Sequence, residues 1–311
     1  MRAAVINHYG DNEVIEINEN HSIPDVQEGQ VVVEVHAASI NCIDAAIRSG
    51  CLGPKIPSTL PLVMGGDFSG IVRKIGANVV GINIGDKVYG QSSILFGGSG
   101  SMAEFTVASA TSLFKKPKSV SMAEAAAFPL AGATALLALE EQINIQPGQK
   151  ILIHSGSGGI SSIAIQLAKY HGAYVATTVD GCGAELARSL GADEVIDCQK
   201  QSFTAMIQDY DAVIVTTADT LTRSYMVLKN GGVLVSLAGP VDECTAKDNM
   251  VTALSQMTQA SARQLERLAT LIDAGNIKPV IDQTFSLSET KEAFNYFEQS
   301  SPKGKVVVQI R

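Results

Sequence analysis

The residues with the clearest chemical potential lie in one run, His154-Ser155-Gly156-Ser157-Gly158-Gly159-Ile160-Ser161. An apolar, strand-like segment from Lys150 to His154 leads into it, and a helical stretch from Ser162 to Tyr170 follows. Glycine at 156 and 158 permits a tight turn and lets an anion approach main-chain N–H groups at a helix N-terminus, where the helix dipole favours negative charge. The spacing predicts that Gly156, Ser157, Gly158, Gly159 and Ile160 receive the pyrophosphate of a dinucleotide. Ser161 stands where the usual fingerprint has a third glycine. That weakens the motif, although a small residue still allows helix and strand to pack closely. Read in isolation, the run is equally a tight strand-to-helix connection.

The elements that must position this turn are legible around it. Strand-like runs at Ile151 to His154, Tyr174 to Val179, Glu194 to Asp197, Ala212 to Thr216 and Val233 to Leu237 alternate with amphipathic helical stretches. Short apolar runs separated by helices mark βαβ units, in which a parallel sheet is covered on both faces. The second strand ends in Thr177-Thr178-Val179-Asp180-Gly181. Thr178 and Asp180 are therefore candidates for the adenosine ribose, where a carboxylate accepts from ribose hydroxyls and repels a 2'-phosphate. A turn-forming Asp-Gly pair is the alternative reading of Asp180. Leu237-Ala238-Gly239 ends the fifth strand, at the carboxyl edge where open α/β sheets meet their ligands. Residues 1 to about 115 have a different texture, with short β-rich runs such as Val31-Val32-Val33-Glu34-Val35 broken by glycine and proline. Near 278 extended segments return, ending in Lys305-Val306-Val307-Val308-Gln309-Ile310, a tail expected to complete the first domain.

Composition excludes several classes of function. A net charge of -8 without clustered Lys or Arg is unsuited to nucleic acid. No apolar run approaches the roughly 20 residues needed to cross a bilayer, and the N-terminus enters a strand-like pattern at once, so a cytoplasmic protein is expected. The 5 cysteines are odd in number and widely spaced, with no CxxC pair, which argues against a disulfide framework or a four-cysteine zinc site. The 5 histidines are scattered and suggest no proton relay.

The ordered fragments resemble the quinone oxidoreductase branch of the medium-chain dehydrogenase/reductase superfamily, the zinc-free relatives of alcohol dehydrogenase. The resemblance is carried by Ala37 to Asp44, Met64 to Gly70, Gly85 to Gly90, Ala126 to Thr134, the glycine turn, Leu190 to Asp197, Gly231 to Ser236 and Gly304 to Val308. It implies an α/β protein with a GroES-like β-rich domain, residues 1–119 and 276–311, and an inserted Rossmann domain, residues 120–275, a doubly wound parallel sheet. The active site is expected in the cleft between them. Such relatives reduce quinones or α,β-unsaturated carbonyl compounds with NAD(P)H, commonly as homodimers.

In zinc-dependent relatives a cysteine ligand falls at the position of Asn41, and a His-Glu pair at Gly66-Asp67. Losing two ligands removes a catalytic zinc site, which needs about three protein ligands, so no metal is expected. Cys42 is read as a buried small hydrophobe. The resemblance points to Asn41 as the polar group facing nicotinamide and substrate, with holding a buried turn as its alternative. Asp44 is read as a carboxylate bonding nearby main chain. Thr134 matches a family position beside the nicotinamide. Lys305 either reaches the cofactor or is a solvated lysine at a strand start. NADPH is the family's usual cofactor, but Asp180, Cys182 and Cys198 stand where donors to the 2'-phosphate are usual, so NADH stays open. The competing reading is a nucleotide-binding redox sensor or structural protein without turnover. Ser49 to Pro61 is expected to contribute small and apolar residues to the substrate pocket.

Overall fold

The computed structural model describes residues 1–53 and 59–311, so part of the Ser49 to Pro61 segment lies outside the described residues. Two compact units are distinguished: Met1–Ala133 with Gln259–Gly275 and Pro279–Arg311, and Thr134–Thr258 with Asn276–Lys278.

The second unit is built on a six-stranded sheet. In spatial order its strands are Glu194–Asp197, Tyr174–Val179, Lys150–Ile153, Tyr210–Val215, Leu228–Ser236 and Thr252–Ser255, every neighbouring pair parallel. Its central strands are continuous apolar runs because both faces are covered, and Ile151, Leu152, Ile153, Val213, Ile214 and Val215 are all buried. Helix Gly159–Tyr170 covers one face with Ile163, Ala164, Leu167 and Ala168. The strand order reverses beside Lys150–Ile153, and the glycine turn follows that strand directly. This is the place at which open α/β sheets bind ligands. The sixth strand escaped the sequence reading because Thr252–Ser255 is short and lies at the edge, half-exposed and without a continuous apolar run.

The first unit contains a seven-stranded sheet with the path Ile281–Ser286, Lys305–Gln309, Gln30–Ser39, Asp67–Ile75, Lys87–Gln91 and Leu113–Lys115, and with Phe105–Ser109 also paired to Gln30–Ser39. The C-terminal strand runs antiparallel to Gln30–Ser39, with Val307 opposite Ser39 and Gln309 opposite Ala37. A three-stranded sheet of Ile15–Asn18, Ala3–Ile6 and Leu62–Val63 adds a second layer. Ile40, Ile47, Met64, Phe294, Val306 and Val308 share one core.

The expected domain limits at 119/120 and 275/276 differ from the limits of these units. Helix Ala262–Asp273 groups with the β-rich unit, because its apolar stripe of Leu265, Leu268, Leu271 and Ile272 is buried and it packs on the strands Lys87–Gln91 and Leu113–Lys115. Gly132 permits a close approach there, since a Cβ on it would come within 2.6 Å of Leu268.

Candidate active site

In the first unit three strands bring polar residues to one end of the sheet. Strand Gln30–Ser39 ends beside the first residues of its two antiparallel neighbours, Asp67 and Lys305, and Ser39 pairs in register with Asp67. The chain then passes through Ile40 and Asn41 into helix Cys42–Ser49, of which Asn41 is the N-cap residue. The result is a buried polar cluster, with Asn41 9%, Asp44 1%, Asp67 0% and Lys305 5% exposed.

The polar groups of the cluster are linked to one another. The Lys305 ammonium donates to the Ile40 carbonyl at 2.7 Å and to Asn41 Oδ1 at 2.5 Å, and lies 4.0 Å from Asp67 Oδ2. Asn41 Nδ2 donates to Asp67 Oδ2 at 2.9 Å. The Asp67 carboxylate also accepts from the Leu130 N–H at 3.1 Å and, at 3.4 Å, from the Ser39 hydroxyl. Leu130 opens helix Pro129–Leu136, so Asp67 faces the positive end of a helix dipole. Burial pushes the Asp67 carboxyl up and the Lys305 ammonium down, and each is opposed by the charge of the other. Asp44 accepts from the Asn41 main-chain N–H at 2.8 Å, as read from the sequence. Its burial raises it to about 7.

Two sequence expectations need correction here. Lys305 is not a solvated lysine at a strand start; its whole side chain is enclosed because Asn41, Ile40 and Asp67 supply the partners that water would otherwise provide. Cys42 is not a buried hydrophobe. It is the first residue of its helix and is exposed, the helix turning its buried face through Asp44, Ile47 and Arg48 instead.

In the second unit the glycine turn forms a tight cradle. Gly156 N–H donates to the Thr178 carbonyl and Gly158 N–H to that of Ser155, both at 2.8 Å. Ser155 takes a left-handed backbone, φ 56°, uncommon outside glycine. A Cβ on Gly156 would fall 2.3 Å from Thr177 Oγ1, and one on Gly183 2.6 Å from Ser157 Oγ. Gly158 is the N-cap of helix Gly159–Tyr170, and no side chain caps that helix, so the first-turn N–H groups of Gly159 and Ile160 point to the helix mouth. Ser161 is buried and donates to the His154 carbonyl at 2.7 Å. Thr178 is turned inward: its Oγ1 bonds His154 Nδ1 at 2.9 Å and accepts from Ser155 N–H at 3.3 Å. His154, bonded by its other nitrogen to Ser224 and lowered to about 4 by burial, is a neutral structural residue.

Asp180 is exposed at the mouth of the sheet, with Gly183 N–H donating to its main-chain carbonyl at 2.8 Å. Asp197 lies near: a Cβ on Gly181 would come within 3.3 Å of its Oδ2, which holds Lys200 at 2.8 Å. Leu237, Ala238 and Gly239 form a closed turn, in which Ser236 Oγ donates to the Gly239 carbonyl at 2.8 Å. Thr134 is buried and its carbonyl accepts from Gln256 at 3.0 Å.

Residues 27–118 match the family described as alcohol dehydrogenase GroES-like domain, and residues 190–308 that described as zinc-binding dehydrogenase. The chain is 35% identical over 316 residues to a 2-methylene-furan-3-one reductase of Solanum lycopersicum, covering 99% of this chain and 79% of that protein. It has the same identity and coverage, 35%, 99% and 79%, with an NADPH-dependent alkenal/one oxidoreductase, chloroplastic, of Arabidopsis thaliana. Among solved structures, the quinone oxidoreductase from Coxiella burnetii superposes with a TM-score of 0.92 at 32% identity, covering 100% of this chain and 99% of that one. The chain belongs to the quinone oxidoreductase family of medium-chain dehydrogenases/reductases. Its architecture is that family's GroES-like domain with a Rossmann sheet.

The residues present fit the family's nucleotide and do not fit zinc. The uncapped N-terminus of helix Gly159–Tyr170, reached through a glycine turn that packs tightly on Thr177 at Gly156, suits a pyrophosphate. At the zinc-ligand positions, Asn41 spends its amide on Lys305 and Asp67, Gly66 offers no side chain, and Asp67 already faces an ammonium and a helix N-terminus. Among the described residues no three or more of His, Cys, Asp and Glu are grouped to hold a metal. The residue that sequence reading missed is Asp67, noted only as a lost ligand position. The available signal was a single acid opening one apolar strand and a single lysine opening another, a charge pair that neither strand would bury alone.

Proposed function

We propose that this protein is an NAD(P)H-dependent reductase of quinones or α,β-unsaturated carbonyl compounds that works without a metal. NADPH, the reductant in the name of the Arabidopsis relative, is the first cofactor to try. The observation that carries the reading is the glycine cradle on a helix N-terminus in a chain whose relatives are named for this chemistry. Gly156, Ser157, Gly158, Gly159 and Ile160 would hold the pyrophosphate. Thr134, Thr178, Asp180, Leu237, Ala238 and Gly239 would line the rest of the nucleotide site, Thr178 through its main chain, since its hydroxyl is engaged with His154.

The chemistry supplied by the bound nicotinamide is hydride delivery to an electron-poor carbon, which leaves an oxyanion or enolate on the substrate. Asn41 is assigned to that oxygen. Its Nδ2 has two hydrogens, of which one is given to Asp67, and the other, which also has the Asp44 carboxyl nearby, would be the donor that stabilises developing negative charge. Water would then supply the final proton. We further propose a cytoplasmic homodimer. No described helix is long and apolar enough to cross a membrane.

The test is oxidation of NADPH and of NADH by the purified protein with 1,4-benzoquinone and with a short-chain alkenal. Turnover with either acceptor supports the reading. Tight cofactor binding with no turnover on any acceptor would sink it in favour of a nucleotide-binding sensor.

A further inference from the structure

We propose that Lys305 and Asp67 are positioning residues that lock the amide of Asn41 in a single orientation, with one Nδ2 hydrogen aimed at the substrate oxygen. The proposal rests on the reductase reading above for its substrate and on geometry for everything else.

An asparagine amide has two faces that differ only in where oxygen and nitrogen sit, and in most sites a half-turn about its last bond costs little. Here the two ends meet opposite charges. An ammonium donates to Oδ1 at 2.5 Å and a carboxylate accepts from Nδ2 at 2.9 Å. The flipped amide would set N–H groups against the ammonium and an oxygen against the carboxylate, so both contacts would turn repulsive in a buried setting where charge interactions are strong. The clamp is itself anchored. Lys305 is tied to the Ile40 carbonyl and Asp67 to the Leu130 N–H, so neither can follow a rotating amide. The main chain of Asn41 is pinned in turn by Asp44. A fixed donor contributes more than a mobile one, because the site need not reorganise as charge develops. The ammonium on Oδ1 also draws electron density from the amide and strengthens the remaining N–H as a donor.

Asn41 is 9% exposed, so its amide is enclosed, with the Asp44 carboxyl as a further neighbour of its side chain. Neither Lys305 nor Asp67 needs to touch substrate. They act through Asn41, which distinguishes them from a catalytic lysine and from a general acid.

The experiment is a mutant cycle on the full chain with NADPH and whichever of 1,4-benzoquinone or a short-chain alkenal it turns over. Lys305→Met and Asp67→Asn are expected to lower kcat on the order of 10-fold or more, while KM and the dissociation constant for NADPH measured by fluorescence change by less than about 3-fold. Lys305→Arg, which keeps a donor cation, is expected to recover most of kcat. In the Asn41→Ala background, Lys305→Met should cost nothing further, because the residue it positions is gone. Full additivity of the two losses would overturn the proposal, since a purely structural role does not vanish with Asn41. Should Lys305→Met fail to fold, nitrogen-15 spectra of the wild-type side-chain amides decide. A side-chain nitrogen-15 order parameter for Asn41 as high as that of rigid main chain supports the lock, and one as low as that of an exposed asparagine overturns it. The spectra require no turnover, so failure of the reductase reading and failure of the lock are separable.

Discussion

The hydroxyl of Ser161 donates to the main-chain carbonyl of His154 across the glycine turn, at 2.7 Å. The residue that departs from the three-glycine fingerprint therefore ties the start of the helix to the end of the central strand. Because this bond is buried, Ser161→Ala is expected to cost about 1 kcal/mol of stability. Ser161→Gly, which restores the fingerprint, should cost at least as much, since it loses the same bond and frees the unfolded chain. Urea denaturation of the three proteins checks the order. A glycine variant more stable than wild type would contradict it.

Gly156→Ala is expected to weaken NADPH binding by on the order of 10-fold or more and to lower stability by about 1–3 kcal/mol. The added methyl would lie 2.3 Å from Thr177 Oγ1 and 2.8 Å from its Cγ2, and Thr177 is buried and hydrogen-bonded to the Ile153 carbonyl, so it cannot move aside cheaply. Fluorescence titration with NADPH and thermal unfolding report the two effects separately. Gly158→Ala, whose methyl meets only the Ser155 carbonyl at 3.2 Å, should be the milder change.

These two positions show how much of the fold and site was readable before the structure. The parallel sheet was legible because its strands are buried on both faces and become unmixed apolar runs. The glycine turn was legible because no side chain fits where Gly156 passes Thr177. Asn41 and Asp44 were reachable through their shared motif. Lys305 was named as reaching the cofactor or standing in solvent, but its pairing with Asp67 was not legible, because 238 positions separate them in the chain and their partnership exists only through antiparallel strands on either side of Gln30–Ser39. A lone lysine in a polar-looking strand start reads as solvated until its carboxylate is found. The placement of helix Ala262–Asp273 was hidden for a similar reason: its stripe says that one face is buried but not against which sheet.

The preference between the two nicotinamide cofactors is proposed to turn on Asp180. Its carboxylate and that of Asp197 lie at the ends of adjacent parallel strands, with Val179 opposite Asp197 in register. The nearby Lys200 is already held by Asp197. A 2'-phosphate placed beside Asp180 would meet its carboxylate, with Lys200 already engaged. Asp180→Ser is therefore expected to improve NADPH binding relative to NADH by on the order of 10-fold, through removal of repulsion alone. Dissociation constants for both cofactors by fluorescence, in wild type and variant, test it. An unchanged ratio would show that Asp180 does not face the 2' position.

Asp44 links the cluster to the pH dependence of stability. Its carboxyl is raised from an ordinary 3.8 to about 7 in the fold, mainly by burial and in part by the nearby Asp67. Between those pH values the folded protein holds the proton that the unfolded chain has released, so stability contributed by this group is complete below about pH 4 and is lost as pH rises toward about 7. His154 works in the opposite sense, lowered to about 4, so that its contribution is lost on acidification from its ordinary 6.5. The two must be separated by mutation. Asp44→Asn keeps an oxygen for the Asn41 N–H but cannot ionise, so its stability relative to wild type should rise steadily from pH 4 to pH 7, by an amount of several kcal/mol for a shift this large. Urea unfolding of both proteins at half-unit intervals across that range measures the difference, and a constant difference would place the Asp44 carboxyl at its ordinary value in the folded protein.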